Sequence, residues 1–225
     1  MRDDVPETMA YRAMIRRLAP LLAVASTEEA VLAARARYAP ETYHALLAED
    51  AGLGSLYADY FYTAGDSYTP VEWAGLTQRP VYPVVRIETL AERLLPAAES
   101  WDDLRQTFAM ELVTARAGGC VAFKSIAAYR GGLALKLVDA VNAERAFHRI
   151  RSALEDGTFT RLDDPELISA LVWETFEVAA ELGLPVQFHV GLGDDDVVLP
   201  EANPVLLRAF YREPRYATVP IVLLH

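Results

Sequence analysis

Pro185-Val186-Gln187-Phe188-His189-Val190 decides how the rest of the chain is read. The run is short, apolar on both faces and bounded by Gly183 before it and Gly191-Leu192-Gly193 after it. Such a run reads as a buried strand of a parallel sheet, because only a sheet covered on both sides needs two apolar faces. Upstream, Asp164 caps a helix with Pro165 in its first turn, and Gly183 stops it. Downstream, Asn203-Pro204 opens another helix, and Val219-Pro220-Ile221-Val222-Leu223-Leu224-His225 repeats the apolar pattern. Both runs end on a histidine, 36 residues apart, which is about one βα repeat.

Working outward, the same alternation continues toward the N-terminus. Cys120-Val121-Ala122-Phe123-Lys124-Ser125-Ile126 is a strand followed by a helix over 139–154. Val81-Tyr82-Pro83-Val84-Val85-Arg86-Ile87 is another, followed by a helix over 88–95 and a longer one started by Ser100 with Asp103. Residues 55–62 form the first strand, with a short helix over 71–76 after it. The first fifty residues are helical: an amphipathic stretch from Tyr11 to Leu18, a capping box of Ser26 with Glu29, and Pro40 in a first turn. No composition shift marks a boundary. The chain therefore reads as one domain over 1–225, a helical segment over 1–53 and βα units over 54–225. An open doubly wound sheet and a (β/α)8 barrel both fit this order. No Gly-x-Gly-x-x-Gly follows an early strand, so the dinucleotide form of the open sheet has no support.

Composition narrows the class. Of 225 residues, 52% are hydrophobic, enough for a sizeable core, and the formal charge of −11 argues against nucleic acid as a partner. No apolar run spans a membrane and no signal peptide opens the chain, so a cytoplasmic location is expected. Cys120 is the single cysteine and reads as an inert core thiol.

Polar residues gather at the C-terminal strand ends, where α/β folds keep their chemistry: Asp59, Arg86, Glu88, Lys124, His189 and His225. His189 and His225 are candidate metal ligands, since neighbouring parallel strands bring both imidazoles to one rim. The bland alternative is two satisfied core histidines. His44 and His148 fall on helices and read as surface or packing residues. Lys124 is one of two lysines in the chain. At a strand end it can be a base, a Schiff-base nucleophile or an anion contact, or it can pair with Glu88. Arg86 and Glu88 flank Ile87, so inside a strand they share a face, as an ion pair or an anion clamp. Tyr129-Arg130-Gly131-Gly132 forms a loop whose arginine suits a substrate carboxylate. Asp194 opens a run of three aspartates that lacks calcium-loop spacing and reads as part of an active-site loop.

Three segments carry a resemblance: Val84-Val85-Arg86-Ile87-Glu88-Thr89-Leu90, Phe123-Lys124-Ser125-Ile126-Ala127-Ala128-Tyr129-Arg130-Gly131-Gly132-Leu133 and Leu184-Pro185-Val186-Gln187-Phe188-His189-Val190-Gly191-Leu192-Gly193-Asp194. Ala202-Asn203-Pro204-Val205-Leu206-Leu207 and the run from Pro220 to His225 extend it over nearly the whole chain. Together they resemble the amidohydrolase-related family, in the branch sometimes fused to glutamine-synthetase-like domains. The resemblance implies a (β/α)8 TIM-type barrel with a divalent metal, zinc by expectation, at its C-terminal rim. It implies histidines on strands five and six, matched by His189 and His225, and a lysine on strand four, matched by Lys124. It also implies a His-x-His pair on strand one and an aspartate on strand eight. This sequence contains no His-x-His and ends at His225. The expected fold is thus an α/β, incomplete (β/α)8 barrel with parallel strands and an N-terminal helical segment, truncated at both ends. The expected function is metal-dependent hydrolysis of an amide or related C–N or C–O bond in a small carboxylate-bearing substrate. Lys124 would be catalytic, and Arg86, Glu88, Tyr129, Arg130 and Asp194 substrate-binding. A decarboxylase on the same metal site and a non-catalytic barrel fragment are the alternatives. Exposed sheet edges would also favour a homo-oligomer.

Overall fold

The computed structural model describes residues 5–59, 68–193, 195 and 197–225. The chain divides into two compact units, one of residues 1–56 with 68–81 and one of residues 57–67 with 82–225.

In the first unit, α1 (Met9–Leu21), α2 (Glu28–Arg35) and α3 (Pro40–Asp50) enclose a small core of Ile15, Ala19, Leu22, Val31, Ala34 and Tyr43. Thr27, not Ser26, caps α2, accepting from the Ala30 N–H at 3.3 Å. The helix starts one residue later than the expected box, which puts Ala30 rather than Glu29 at the capped position. Helix α4 (Pro70–Thr77) opens with a full capping box: the Glu72 N–H donates to Thr69 Oγ1 at 3.3 Å, and the Thr69 N–H donates to Glu72 Oε2 at 2.7 Å. Each bond satisfies an N–H that the helix cannot pair itself. Thr69→Ala is expected to cost about 1 kcal/mol, read as a lowered midpoint in urea.

The second unit is an α/β layer structure. A five-stranded sheet runs in the order β1 (Leu56–Asp59), β2 (Val81–Arg86), β3 (Ala122–Ser125), β4 (Val186–His189) and β5 (Ile221–Leu224), curled as a parallel half-barrel. The register sets Arg86 opposite Lys124, Lys124 opposite Gln187, and His189 opposite Leu224. Strand order follows chain order because each crossover is a helix or a helix pair: α5 (Ile87–Leu94) with α6 (Trp101–Ala117), then α7 (Ala140–Glu155) with α8 (Pro165–Leu182). The expected caps Ser100 and Asp164 accept from first-turn N–H groups, and Asp139, expected as the first helical residue, caps α7 in the same way. Gly183 takes φ +64° and ends α8, where a side chain would be strained. A short helix, α9 (Arg208–Tyr211), follows a 3₁₀ turn at Asn203-Pro204.

Side chains alternate across each strand, and the two faces differ in kind. Phe123 and Phe188 are fully buried, with Phe188 stacked on Phe176 of α8. Phe108, Phe147, Leu104 and Leu112 complete that core. Cys120 is buried there too, and burial pushes its thiol pKa up, as suits an unreactive group. Among the described residues no helix is long and apolar enough to cross a membrane.

Candidate active site

The C-terminal ends of the five strands carry the chemistry-bearing groups, and the pairings differ from those the sequence suggested. Strand β2 ends at Arg86, and Ile87 already belongs to α5. The alternation that put Arg86 and Glu88 on one face therefore fails. Arg86 pairs instead with Asp59 at the end of β1, its Nε and Nη2 each 2.7 Å from Asp59 Oδ2. Lys124 Nζ lies 3.5 Å from the same oxygen, so Asp59, not Glu88, is its carboxylate neighbour. All three side chains are at most 20% exposed. Among the described residues two cations thus share one carboxylate.

Glu88 points away from that cluster. The first turn of α5 carries it under β3, where it is 1% exposed. Its Oε1 accepts from Ser125 Oγ at 2.6 Å and from the Ile126 N–H at 2.9 Å, while Oε2 is buried with no hydrogen-bond donor. Burial raises its pKa to about 7, against the downward pull of Ser125, backbone N–H groups and Arg130. Direct contact with substrate does not suit a carboxylate so enclosed.

Arg130 is likewise turned inward. Its Nη2 is 3.8 Å from Glu92 Oε1 on α5, and its Nε and Nη1 are buried without acceptors. Gly131 lets this loop press on the start of α8: an added Cβ would meet Pro165 Cβ at 2.8 Å.

The two strand-end histidines come together. The His189 and His225 rings lie 4.7 Å apart between centroids, inclined by 50°. His189 is 5% exposed, and its other neighbour is Tyr129, whose ring centroid is 4.3 Å away. His225 follows the last residue of β5 with φ +81°, uncommon for a residue with a side chain. Gly193 closes over this group. A Cβ built on it would sit 2.2 Å from Tyr129 Oη and 2.9 Å from His189 Nε2. Only a residue without a side chain lets Tyr129 and His189 lie so close to this backbone. His44 bonds to the Pro40 carbonyl on α3, and His148 pairs with Glu144 on α7, so both keep structural roles. Asp194 lies outside the described residues.

Two imidazoles brought side by side at the ends of adjacent strands suit two ligands of a divalent ion. They do not complete a catalytic centre, which takes three or more protein ligands. Among the described residues no group of three or more His, Cys, Asp or Glu side chains is placed to hold a metal.

The fold and this rim define an α/β half-barrel. It superposes on the crystal structure of a Lactobacillus casei ATCC 334 protein provisionally described as a metal-dependent hydrolase, with a TM-score of 0.84 and 26% identity. In sequence the chain is similar to Protein fluG of Emericella nidulans, 28% identical over an alignment 254 positions long. Both alignments cover 99% of this chain, but only 58% of the Lactobacillus protein and 29% of the Emericella one. No family model matches.

Proposed function

We propose that the chain carries part of the active site of a metal-dependent hydrolase of the amidohydrolase type, with His189 and His225 as two ligands of a zinc ion. The observation that carries the reading is the pair of rings 4.7 Å apart at the ends of adjacent parallel strands. Zinc–nitrogen bonds of about 2 Å are compatible with that spacing. When bound, such an ion supplies an acidified water and polarises a carbonyl.

The chain's own residues then have distinct tasks. Lys124, with Arg86 and Asp59 beside it, presents positive charge to a substrate carboxylate and fixes the substrate's orientation. Tyr129 covers one face of His189 and sets the angle of its ring. Gly193 lets its backbone lie close against Tyr129 Oη and His189 Nε2. An amide or related C–N or C–O bond of a small carboxylate-bearing molecule fits these groups.

Cobalt(II) titration of the purified chain, followed through imidazole proton signals, tests the reading. Signals of His189 and His225 are expected to broaden and shift together while those of His44 and His148 stay fixed. Equal effects on all four, or none, would overturn it.

A further inference from the structure

We propose that Glu88 is a positioning residue for His189, acting through the turn that carries Tyr129. The path can be followed bond by bond. Glu88 Oε1 accepts hydrogen bonds from the Ser125 hydroxyl at 2.6 Å and from the Ile126 N–H at 2.9 Å. Ser125 Oγ in turn accepts from the Ala127 N–H at 3.1 Å. These N–H groups lead into the 3₁₀ turn Ala127–Tyr129, and a helical turn cannot pair its own first donors. With them tied down, the Tyr129 N–H closes on the Ile126 carbonyl at 2.9 Å, and the Arg130 and Gly132 N–H groups both close on the Ala127 carbonyl. The turn is thereby fixed at its entrance and its exit. Its last residue lays the Tyr129 ring on the His189 imidazole.

Burial explains why a carboxylate can do this work. Glu88 is 1% exposed, so water cannot compete for the two donors it holds. It comes from a different element, α5, and so locks the β3 turn to the helix layer rather than to itself. A ligand ring held in one orientation binds a metal more tightly than one free to rotate. The geometry rests on the hydrogen bonds alone; the consequence for metal affinity rests on the metal-binding reading above.

Two readouts keep these apart. Tyr129 imposes a ring-current shift on the His189 imidazole protons, and Tyr129→Leu gives the reference position without it. In the metal-free chain, Glu88→Ala is expected to move the His189 signals most of the way to that reference. Glu88→Gln keeps an oxygen for Ser125 and Ile126 and is expected to leave them near the wild-type position. Zinc affinity should fall about 10-fold in Glu88→Ala and stay near wild type in Glu88→Gln. Unmoved His189 signals in Glu88→Ala, or Glu88→Gln behaving like Glu88→Ala, would overturn the proposal. Moved signals with no zinc bound by any form would overturn the metal reading and leave the positioning role standing. Should Glu88→Ala not fold, Ser125→Ala breaks the same path and is read in the same way.

Discussion

Gly193→Ala is expected to weaken zinc binding by about 100-fold, with a melting temperature within about 3 °C of wild type. The asymmetry follows from where the added methyl would go. It would lie 2.2 Å from Tyr129 Oη, 2.8 Å from Tyr129 Cζ and 2.9 Å from His189 Nε2. None of these distances is tolerable, so something must move. Tyr129 can swing off the His189 ring, or the segment bearing Gly193 can lift. Either relieves the clash without opening the Phe-rich core behind the sheet, so stability changes little. Both disturb the surroundings of His189 Nε2. Calorimetric zinc titration of the two proteins checks the affinity. Wild-type affinity in Gly193→Ala would mean that the packing around His189 Nε2 has no part in binding the ion.

How much of this was legible beforehand depends on the range of the interaction. The two histidines were visible because each terminates an apolar run of strand length, and one βα repeat separates them. Parallel pairing then leaves little freedom in where the rings go. Asp164 and Gly183 were visible for the same reason: caps act on residues two to four positions away. The Arg86–Glu88 pairing failed because an i, i+2 argument holds only while the chain stays extended. Helix α5 begins at Ile87 with Arg86 at its cap position and no side-chain hydrogen bond there. No Ser, Thr, Asp or Asn announced the change. Asp59 as the carboxylate shared by Arg86 and Lys124 depends on three strands meeting. The need for glycine at 193 depends on a tyrosine from another βα unit. Contacts of that range leave no periodic trace.

Glu88 supplies a second large effect, on the pH dependence of stability. In the unfolded chain its carboxyl titrates near 4.5; in the folded protein it titrates near 7. Burial is the main cause, with no donor on Oε2 to offset it, and it outweighs the Ser125 hydroxyl, the backbone N–H groups and the Arg130 charge. The folded state therefore holds the proton more tightly than the unfolded state. Its contribution to stability is full below pH 4.5, declines as pH rises through that interval, and is gone above the folded pKa. A shift of that size is worth about 3 kcal/mol. Glu88→Gln cannot titrate and should lose this dependence. Other groups displaced by burial, such as Glu174, are common to both proteins and cancel in the comparison. Urea denaturation at pH 4.5 and pH 8 gives the measurement. Wild-type stability should fall by about 3 kcal/mol more than that of Glu88→Gln between the two. Parallel profiles would show that the carboxyl titrates alike in the folded and unfolded protein. Its two hydrogen-bond donors and Arg130 would then offset the cost of burying the charge.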